Sequence, residues 1–227
     1  MKKTLVILFT FITLVTIAQE TTLSDTTKLK KFQLGITFSP DYNFRYLKAD
    51  GNSEWISKIA DSMEVPKYGY TTGFNLSYVL SNKIKLGTGI IFVNNGEKTK
   101  STIELQTINY TNHFYFLSVP IRIDYTLISK KIDVYATLGV TGNFFINHKT
   151  IMFEDGKKDP IQFNNNSDLQ KFTLGGLVGI GMNAKLSTKW LFKTEVLYRQ
   201  NIQSVSNEPV KKWMYSVGPN LGLFYKL

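Results

Sequence analysis

Strict alternation of apolar and polar residues is the feature that most constrains this chain. Eight separate stretches between residues 32 and 227 carry an apolar side chain at every second position, as in FQLGITF over residues 32–38. A period of two matches the β-strand, whose successive side chains point to opposite faces, and not the helix with its period of 3.6. The chain is therefore predicted to be all-β with eight strands.

The links between these stretches alternate in length. Short links are expected around Ser81-Asn82, at Ile128–Lys131 and at Lys185–Lys189. Four longer links are expected at Arg45–Lys67, Asn94–Phe114, Asn147–Lys171 and Asn201–Lys212, with a short helix near Ser53–Ser62 in the first. Short turns on one rim and long loops on the other are typical of an antiparallel up-and-down transmembrane β-barrel, whose short turns are periplasmic.

The N-terminus has the layout of a secretory signal peptide. A positive start at Met1-Lys2-Lys3 precedes an uncharged apolar stretch, and small residues at 16 and 18 offer a cleavage site. A membrane anchor or a buried first helix are the alternatives. We expect a signal peptide over 1–18, a periplasmic N-terminal extension over 19–31 and a barrel over 32–227.

Composition excludes several kinds of site. The chain contains no Cys and two His, His113 and His148, which argues against thiolate chemistry and a His-rich metal centre, so no metal and no cofactor are expected. The formal charge of +10 invites a nucleic-acid interpretation. No basic stripe with interleaved aromatics runs along the loops, so nucleic acid is not an expected partner.

Alternation alone leaves open which face points inward, because a soluble lipocalin-like barrel would bury its apolar face. Three features favour apolar-out: glycines on the polar face, which suit a crowded interior; aromatics at the strand ends; and a last strand able to close on the first. Phe114 and Tyr115 are placed at the long-loop end. The two aromatic girdles are represented by Tyr42, Tyr70, Tyr78, Tyr125, Trp190, Tyr198, Tyr215 and Tyr225.

Charged residues on the polar face predict a network inside the lumen. Arg122 is expected to pair with Glu195, and Asp124 with Lys193, across a narrow barrel. Asp41 and Arg199 match nearer the long-loop end, and Lys85 is expected beside Asp124. Charges in a membrane interior must be paired or hydrated, so this network is predicted to close the lumen.

The excess positive charge collects at the short turns. Lysines there form a predicted periplasmic basic collar of Lys83, Lys130, Lys131, Lys185 and Lys189. Such lysines favour contact with anionic lipid headgroups, and the alternative is a purely solubilising role.

Four runs resemble the outer-membrane β-barrel proteins common in Bacteroidetes, small barrels similar to the membrane domain of OmpA and to OmpX. They are FYFLSVPIRIDY at 114–125, LGGLVGIG at 174–181, LFKTEVLYR at 191–199 and the closing LGLFYKL at 221–227, where Leu227 stands in place of the usual Phe. The resemblance implies a cell outer membrane location, with outer-membrane lipids and the barrel-assembly machinery as partners. For most members it implies no reaction.

Three functions follow as hypotheses. The first is a structural or surface-interaction role, in which long outer loops bind surface ligands or partner proteins. A narrow or gated channel for small solutes is the alternative, since eight strands enclose a lumen nearly filled by side chains. A lipid- or peptide-modifying enzyme using His113 or His148 is less favoured, because no Ser/His/Asp spacing stands out, and no catalytic residue is assigned.

Overall fold

The computed structural model describes residues 31–49, 55, 63–103, 106–154, 157–159, 168–207 and 210–227. The predicted signal peptide (1–18) lies outside these ranges, as does the predicted extension (19–31) except for its last residue. The helix expected near Ser53–Ser62 also lies outside them, apart from Trp55, which is helical. In the described ranges, none of the residues belongs to a helix that is both long and apolar enough to cross a membrane.

Eight antiparallel strands form a closed ring, as the alternation predicted. Each strand pairs with its neighbours in chain order, and the last closes on the first from Gln33 opposite Lys226 to Ala49 opposite Val210. The strands are β1 Phe32–Ala49, β2 Lys67–Val79, β3 Ile84–Ile103, β4 Gln106–Ser129, β5 Ile132–Glu154, β6 Phe172–Lys185, β7 Trp190–Asn201 and β8 Val210–Lys226. Two short strands, Glu64–Val65 and Lys157–Asp159, pair with the outer parts of β3 and β5.

The apolar face points outward, which confirms the apolar-out interpretation and excludes the lipocalin-like one. Ile36, Ile121 and Ile180 are 58%, 65% and 55% exposed on the outer wall, whereas Asp41 and Glu195 are buried inside. An aliphatic belt therefore surrounds a polar lumen, the reverse of a soluble barrel.

Aromatic pairs mark both edges of this belt. At the short-turn end, the rings of Phe32 and Tyr78 lie 4.9 Å apart and those of Trp190 and Tyr225 lie 5.2 Å apart. The outer edge carries the ring contacts Tyr42–Tyr68, Phe38–Tyr70, Phe92–Tyr115, Phe144–Phe172 and Tyr198–Tyr215. Two girdles flanking an aliphatic band are the pattern of a membrane-spanning barrel.

The link expected at Asn94–Phe114 is not a loop. Strands β3 and β4 stay paired from Asn94 opposite Tyr115 up to Ile103 opposite Gln106. Strand β5 likewise continues to Glu154 along β4, well into the predicted link Asn147–Lys171. The sequence did not predict these extensions, because their outward-facing residues are polar too. Beyond the aliphatic belt the outside of the sheet meets water, so the alternation of apolar and polar residues is lost. At the outer end, β3, β4 and β5 therefore continue as a paired sheet beyond the aliphatic belt.

The placement of Phe114 in the outer girdle was wrong. Its side chain is 2% exposed and lies inside the barrel with Phe116, whereas Tyr115 between them faces outward. Counting outward from Arg122 by twos reaches Pro120, Ser118, Phe116 and Phe114, so parity assigns both phenylalanines to the lumen.

Candidate functional site

Four charged side chains occupy the lumen near the short-turn end. Arg122 and Asp124 project inward from β4, and Lys193 and Glu195 project inward from β7, each pair two residues apart. Two strands separate β4 from β7 in the ring, so these side chains meet across the lumen. We call these four residues the lower charge network. Its formal charges sum to zero.

Direct hydrogen bonds hold the lower charge network together. The Arg122 guanidinium donates to both Glu195 carboxylate oxygens at 3.0 and 2.5 Å, and its Nε donates to Asp124 Oδ1 at 2.9 Å. Lys193 Nζ donates to Asp124 Oδ2 at 2.8 Å. The forked geometry of the Arg122–Glu195 pair is the strongest arrangement available to an arginine and a carboxylate.

Neutral donors satisfy the remaining oxygens of the network. Tyr135 and Asn220 donate to Glu195 at 2.8 and 2.7 Å, and Thr137 donates to Asp124 at 2.7 Å. Burying charge is costly unless every lone pair and proton is used, and here the surrounding strands supply the partners. The network is thus a hydrogen-bonded cross-brace rather than an isolated ion pair.

Glycines make room for the largest members. Gly87 of β3 and Gly139 of β5 lie directly opposite Arg122 on either side of it. A Cβ atom at Gly87 would come within 2.8 Å of Arg122 Cγ, and one at Gly139 would come within 2.9 Å of Arg122 Cβ. The glycines of the polar face therefore serve close approach, as expected of a crowded interior.

A second pair lies farther out. Arg199 NH1 donates to Asp41 Oδ1 at 2.9 Å, Ser39 donates to the same oxygen at 2.6 Å, and Thr71 donates to Oδ2. Between this level and Arg122 lies an internal cavity of about 60 Å³. Its lining includes Thr37, Asn75, Ser118, Asn143, Ser216 and Asn220. Apolar residues such as Ile91, Val93 and Leu197 line the rest of the cavity, and the polar groups of this mixed lining suit trapped water.

Apolar side chains close the lumen above the second pair. Phe114, Phe116, Val205 and Met214 are all at most 4% exposed and form one cluster, which we call the upper plug. Val205 comes from the segment between β7 and β8, and Leu169, packed against it, comes from the segment before β6. Gln170 N donates to Val205 O at 2.9 Å, which joins the two segments, and Val205 N donates to Lys212 O of β8 at 2.8 Å.

One buried carboxylate lies beside the upper plug. Glu97 of β3 is 1% exposed, with Arg45 NH1 and Lys212 Nζ each 2.9 Å from its oxygens. Asn112 also donates to it at 2.9 Å. Lys212 Nζ lies 5.2 Å from the centre of the Phe114 ring, so this ionic contact and the apolar cluster form a single unit.

The structure brings together most of the residues singled out from the sequence. Arg122 contacts Glu195, Lys193 contacts Asp124, and Arg199 contacts Asp41. Lys85 lies opposite Asp124 in the strand register but outside the ion pairs of the lower charge network. The lysines of the predicted collar (Lys83, Lys130, Lys131, Lys185 and Lys189) are all exposed, in or next to the three short turns.

The upper plug and Glu97 were not predicted from the sequence, although a signal was present. The inward parity of β3 runs from Lys85 through Gly87 to Glu97, and that of β1 from Asp41 to Arg45. Extending the period of two past the aliphatic belt would have identified these residues. Val205 carried no such signal, because it lies between strands.

The two histidines make separate contacts. The His148 ring stacks on Phe114 at 4.5 Å and its Nε2 lies 3.4 Å from Asn112 Oδ1, while His113 Nδ1 lies 3.4 Å from Asn94 Oδ1. His113 lies beyond the outer girdle, where burial and the charges of nearby lysines lower its pKa to about 4. In the part of the chain that is described, no three His, Cys, Asp or Glu residues lie close enough to hold a metal ion.

Comparisons with known proteins add a family. A model described as "Outer membrane protein beta-barrel domain" matches residues 53–207. No curated protein sequence matches the chain.

Several solved structures resemble it in shape. Neisserial surface protein A is 12% identical, with 86% of this chain and 97% of that chain covered and a TM-score of 0.47. The outer membrane protease OmpT from Escherichia coli is 8% identical, with 91% and 99% covered and a TM-score of 0.47. OprG from Pseudomonas aeruginosa is 16% identical, with 87% and 96% covered and a TM-score of 0.43. With identities and TM-scores this low, these likenesses support no conclusion about activity.

Proposed function

Because this chain belongs to the outer membrane protein β-barrel family and is located in the cell outer membrane, we propose that it is a closed barrel that works through its outer surface. In this role the barrel is a rigid anchor and the outer wall and loops bind surface ligands or partner proteins. The observation that carries the proposal is the double closure of the lumen, by the lower charge network and by the upper plug.

Passage of an ion through this lumen would require breaking buried contacts. The Arg122–Glu195 fork spans the lumen, and removing one partner would leave the other charge buried and unpaired. Farther out, an ion would meet Phe114, Phe116 and Met214, which offer no polar partner. Both obstacles favour a permanently closed lumen over a diffusion pore.

The outer end offers surface for binding. The β3–β4 hairpin continues far beyond the outer girdle, up to Ile103 opposite Gln106. Binding residues concentrate on such extensions of a rigid scaffold.

Two measurements test this proposal. In a planar bilayer, the folded protein should give no conductance steps, and a steady open level would contradict a closed lumen. Cells displaying the protein should bind targets on an array of glycans and proteins. Cells displaying a variant whose β3–β4 hairpin is cut back to a short turn should lose that binding, and equal binding by both would contradict a role for the outer wall.

A gated narrow channel is the second candidate, and the internal cavity of about 60 Å³ favours it. The cavity lies between Arg122 and Arg199, so exchange of carboxylate partners could connect it to one side. Glu195→Ala should then give small conductance steps that the unmodified protein shows only rarely. A silent Glu195→Ala barrel would exclude gating by this pair.

Three finer proposals complete this picture. We propose that the barrel belongs to the Bacteroidetes-type group because the four resembling runs occur in the order and spacing of that group.

We propose that the protein is not an enzyme, so lipid and peptide substrates should remain unchanged on incubation. The basic collar is proposed to contact anionic headgroups of the inner leaflet, with the assembly machinery as the partner during insertion.

A further inference from the structure

Two lysines lie side by side on the outer wall where β1 meets β8. Lys48 and Lys211 are directly opposite each other in the register, and the strand parity points both outward. Like charges placed directly opposite each other destabilise a sheet. Among the described residues, no carboxylate forms an ion pair with either lysine. Within the described ranges, this pair is therefore a cationic spot without a carboxylate partner on the rim of the barrel.

Aromatic rings lie immediately below the lysine pair. Tyr46 and Trp213 form the next outward pair of the same two strands, with ring centres 5.9 Å apart. Trp213 Nε1 donates to Ile202 O at 3.3 Å, which holds the indole of β8 against the segment that follows β7. Amphipathic rings at this height mark the level of lipid headgroups. The lysines above them are therefore at the height of headgroup phosphates.

An apolar groove runs down the outer wall from these rings. Its volume is about 540 Å³, and Tyr46, Trp213, Ile202, Gly176, Val178 and Leu138 are among its lining residues. Ile202 is 63% exposed and Leu138 is 54% exposed, so the groove opens onto the lipid. At its floor, a Cβ atom added to Gly176 would find no heavy atom closer than 3.8 Å. We call this depression the outer groove.

The lysine pair, the two aromatic rings and the outer groove adjoin one another on the outer wall. We propose that this face is a binding site for a phosphorylated glycolipid of the outer leaflet, of the lipid A class. Lys48 and Lys211 would hold a phosphate, and one acyl chain would lie in the outer groove over Gly176. Charge complementarity selects the phosphate, and the position above the outer girdle on the long-loop side selects the outer leaflet.

Native mass spectrometry of the refolded barrel tests this site. The probes are bisphosphorylated lipid A, the same lipid with its phosphates removed, and phosphatidylglycerol. One molecule of bisphosphorylated lipid A should remain bound per barrel, and removal of its phosphates should weaken retention at least about tenfold. Phosphatidylglycerol retained as well as lipid A would overturn the proposal, as would no retention of lipid A.

Matched variants separate the site from general charge. K48Q/K211Q should weaken retention of lipid A at least about tenfold, whereas K98Q/K100Q removes the same charge from another part of the outer end and should not. Gly176→Leu should fill the outer groove and reduce retention, while Gly176→Ala should leave it nearly unchanged. Heat-modifiable migration on a gel confirms that each variant has folded. Equal losses in both lysine variants, or none in Gly176→Leu, would contradict the proposed site.

Discussion

The lower charge network and the upper plug close one lumen by opposite means. The lower network uses four charged side chains that all come from strands, and its geometry follows from the positions of β4 and β7 in the ring. The upper plug is apolar and draws Val205 from a segment between strands. The lower charge network is as rigid as the sheet, because all of its residues lie in strands. The stability of the upper plug depends also on how firmly the segment between β7 and β8 is held in place. The difference predicts unequal consequences when each is damaged.

The largest expected effect comes from removing one partner of the lower charge network. Glu195→Ala leaves Arg122 buried without its forked carboxylate and should cost about 3–5 kcal/mol of stability. The readout is the temperature at which the detergent-solubilised barrel loses its compact gel migration. Thr137→Ser keeps the hydroxyl that donates to Asp124 and should behave like the unmodified protein. A Glu195→Ala barrel as stable as Thr137→Ser would mean that the network braces nothing.

A slightly smaller effect is expected when a second guanidinium is introduced on the lipid-facing side of β4. Ile123 follows Arg122 directly but faces the lipid, so Ile123→Arg places a guanidinium in the aliphatic belt. Because Ile123 lies two residues from the girdle residue Tyr125, the cost should lie at the lower end of the about 2–4 kcal/mol expected at the bilayer midplane, seen as reduced insertion into liposomes. Ile123→Val is the control that keeps the face apolar. Normal insertion of Ile123→Arg would contradict the assignment of this face to lipid.

Damage to the upper plug should cost less. Val205→Ala removes two methyl groups from a fully buried site and should lower stability by about 1–2 kcal/mol. It should also speed proteolysis of the segment between β7 and β8 while the barrel stays folded. Val217→Ala, on the outer wall of β8, is the matched control. Equal proteolysis of the two variants would show that Val205 does not hold the segment.

The smallest effect is a pH dependence of the upper plug. Glu97 lies beyond the outer girdle, and although burial alone would raise its pKa, the charges of Lys212 and Arg45 outweigh it and hold the pKa below its usual range. The ionised Glu97 carboxylate therefore contributes its full stabilisation at a pH above the usual carboxyl pKa. This stabilisation is lost as the pH falls through the lowered pKa. Unfolding temperatures at neutral and acidic pH should reveal this loss. Glu97→Gln should show a weaker dependence, and an unchanged one would exclude Glu97 as its source.

The parts of this molecule that follow from alternation were predictable from the sequence. A period of two identifies eight strands. Opposite charges at equal distances from the short turns predict the ion pairs of Arg122 with Glu195 and of Asp124 with Lys193. The same rule, stopped at the edge of the aliphatic belt, missed Glu97 and the inward placement of Phe114. Above the belt both faces meet water, so hydrophobicity no longer distinguishes them and only the parity of position remains. Val205 depends on how a connecting segment folds back, which no local pattern encodes.

The row formed by Gly87, Arg122 and Gly139 has a consequence for how this barrel tolerates change. Arg122 side-chain atoms are the nearest heavy atoms to the space above Gly87, whereas main-chain atoms crowd the space above Gly139. Gly87→Arg by itself should therefore destabilise the barrel, and Arg122→Gly in the same chain should restore stability, because the guanidinium then projects from β3 instead of β4. Gly139→Arg should have no such rescue, because its obstacle is the backbone. The two glycines occupy equivalent positions in the alternation. A side chain at Gly87 can be accommodated if Arg122 is removed, whereas a side chain at Gly139 meets the backbone in either case.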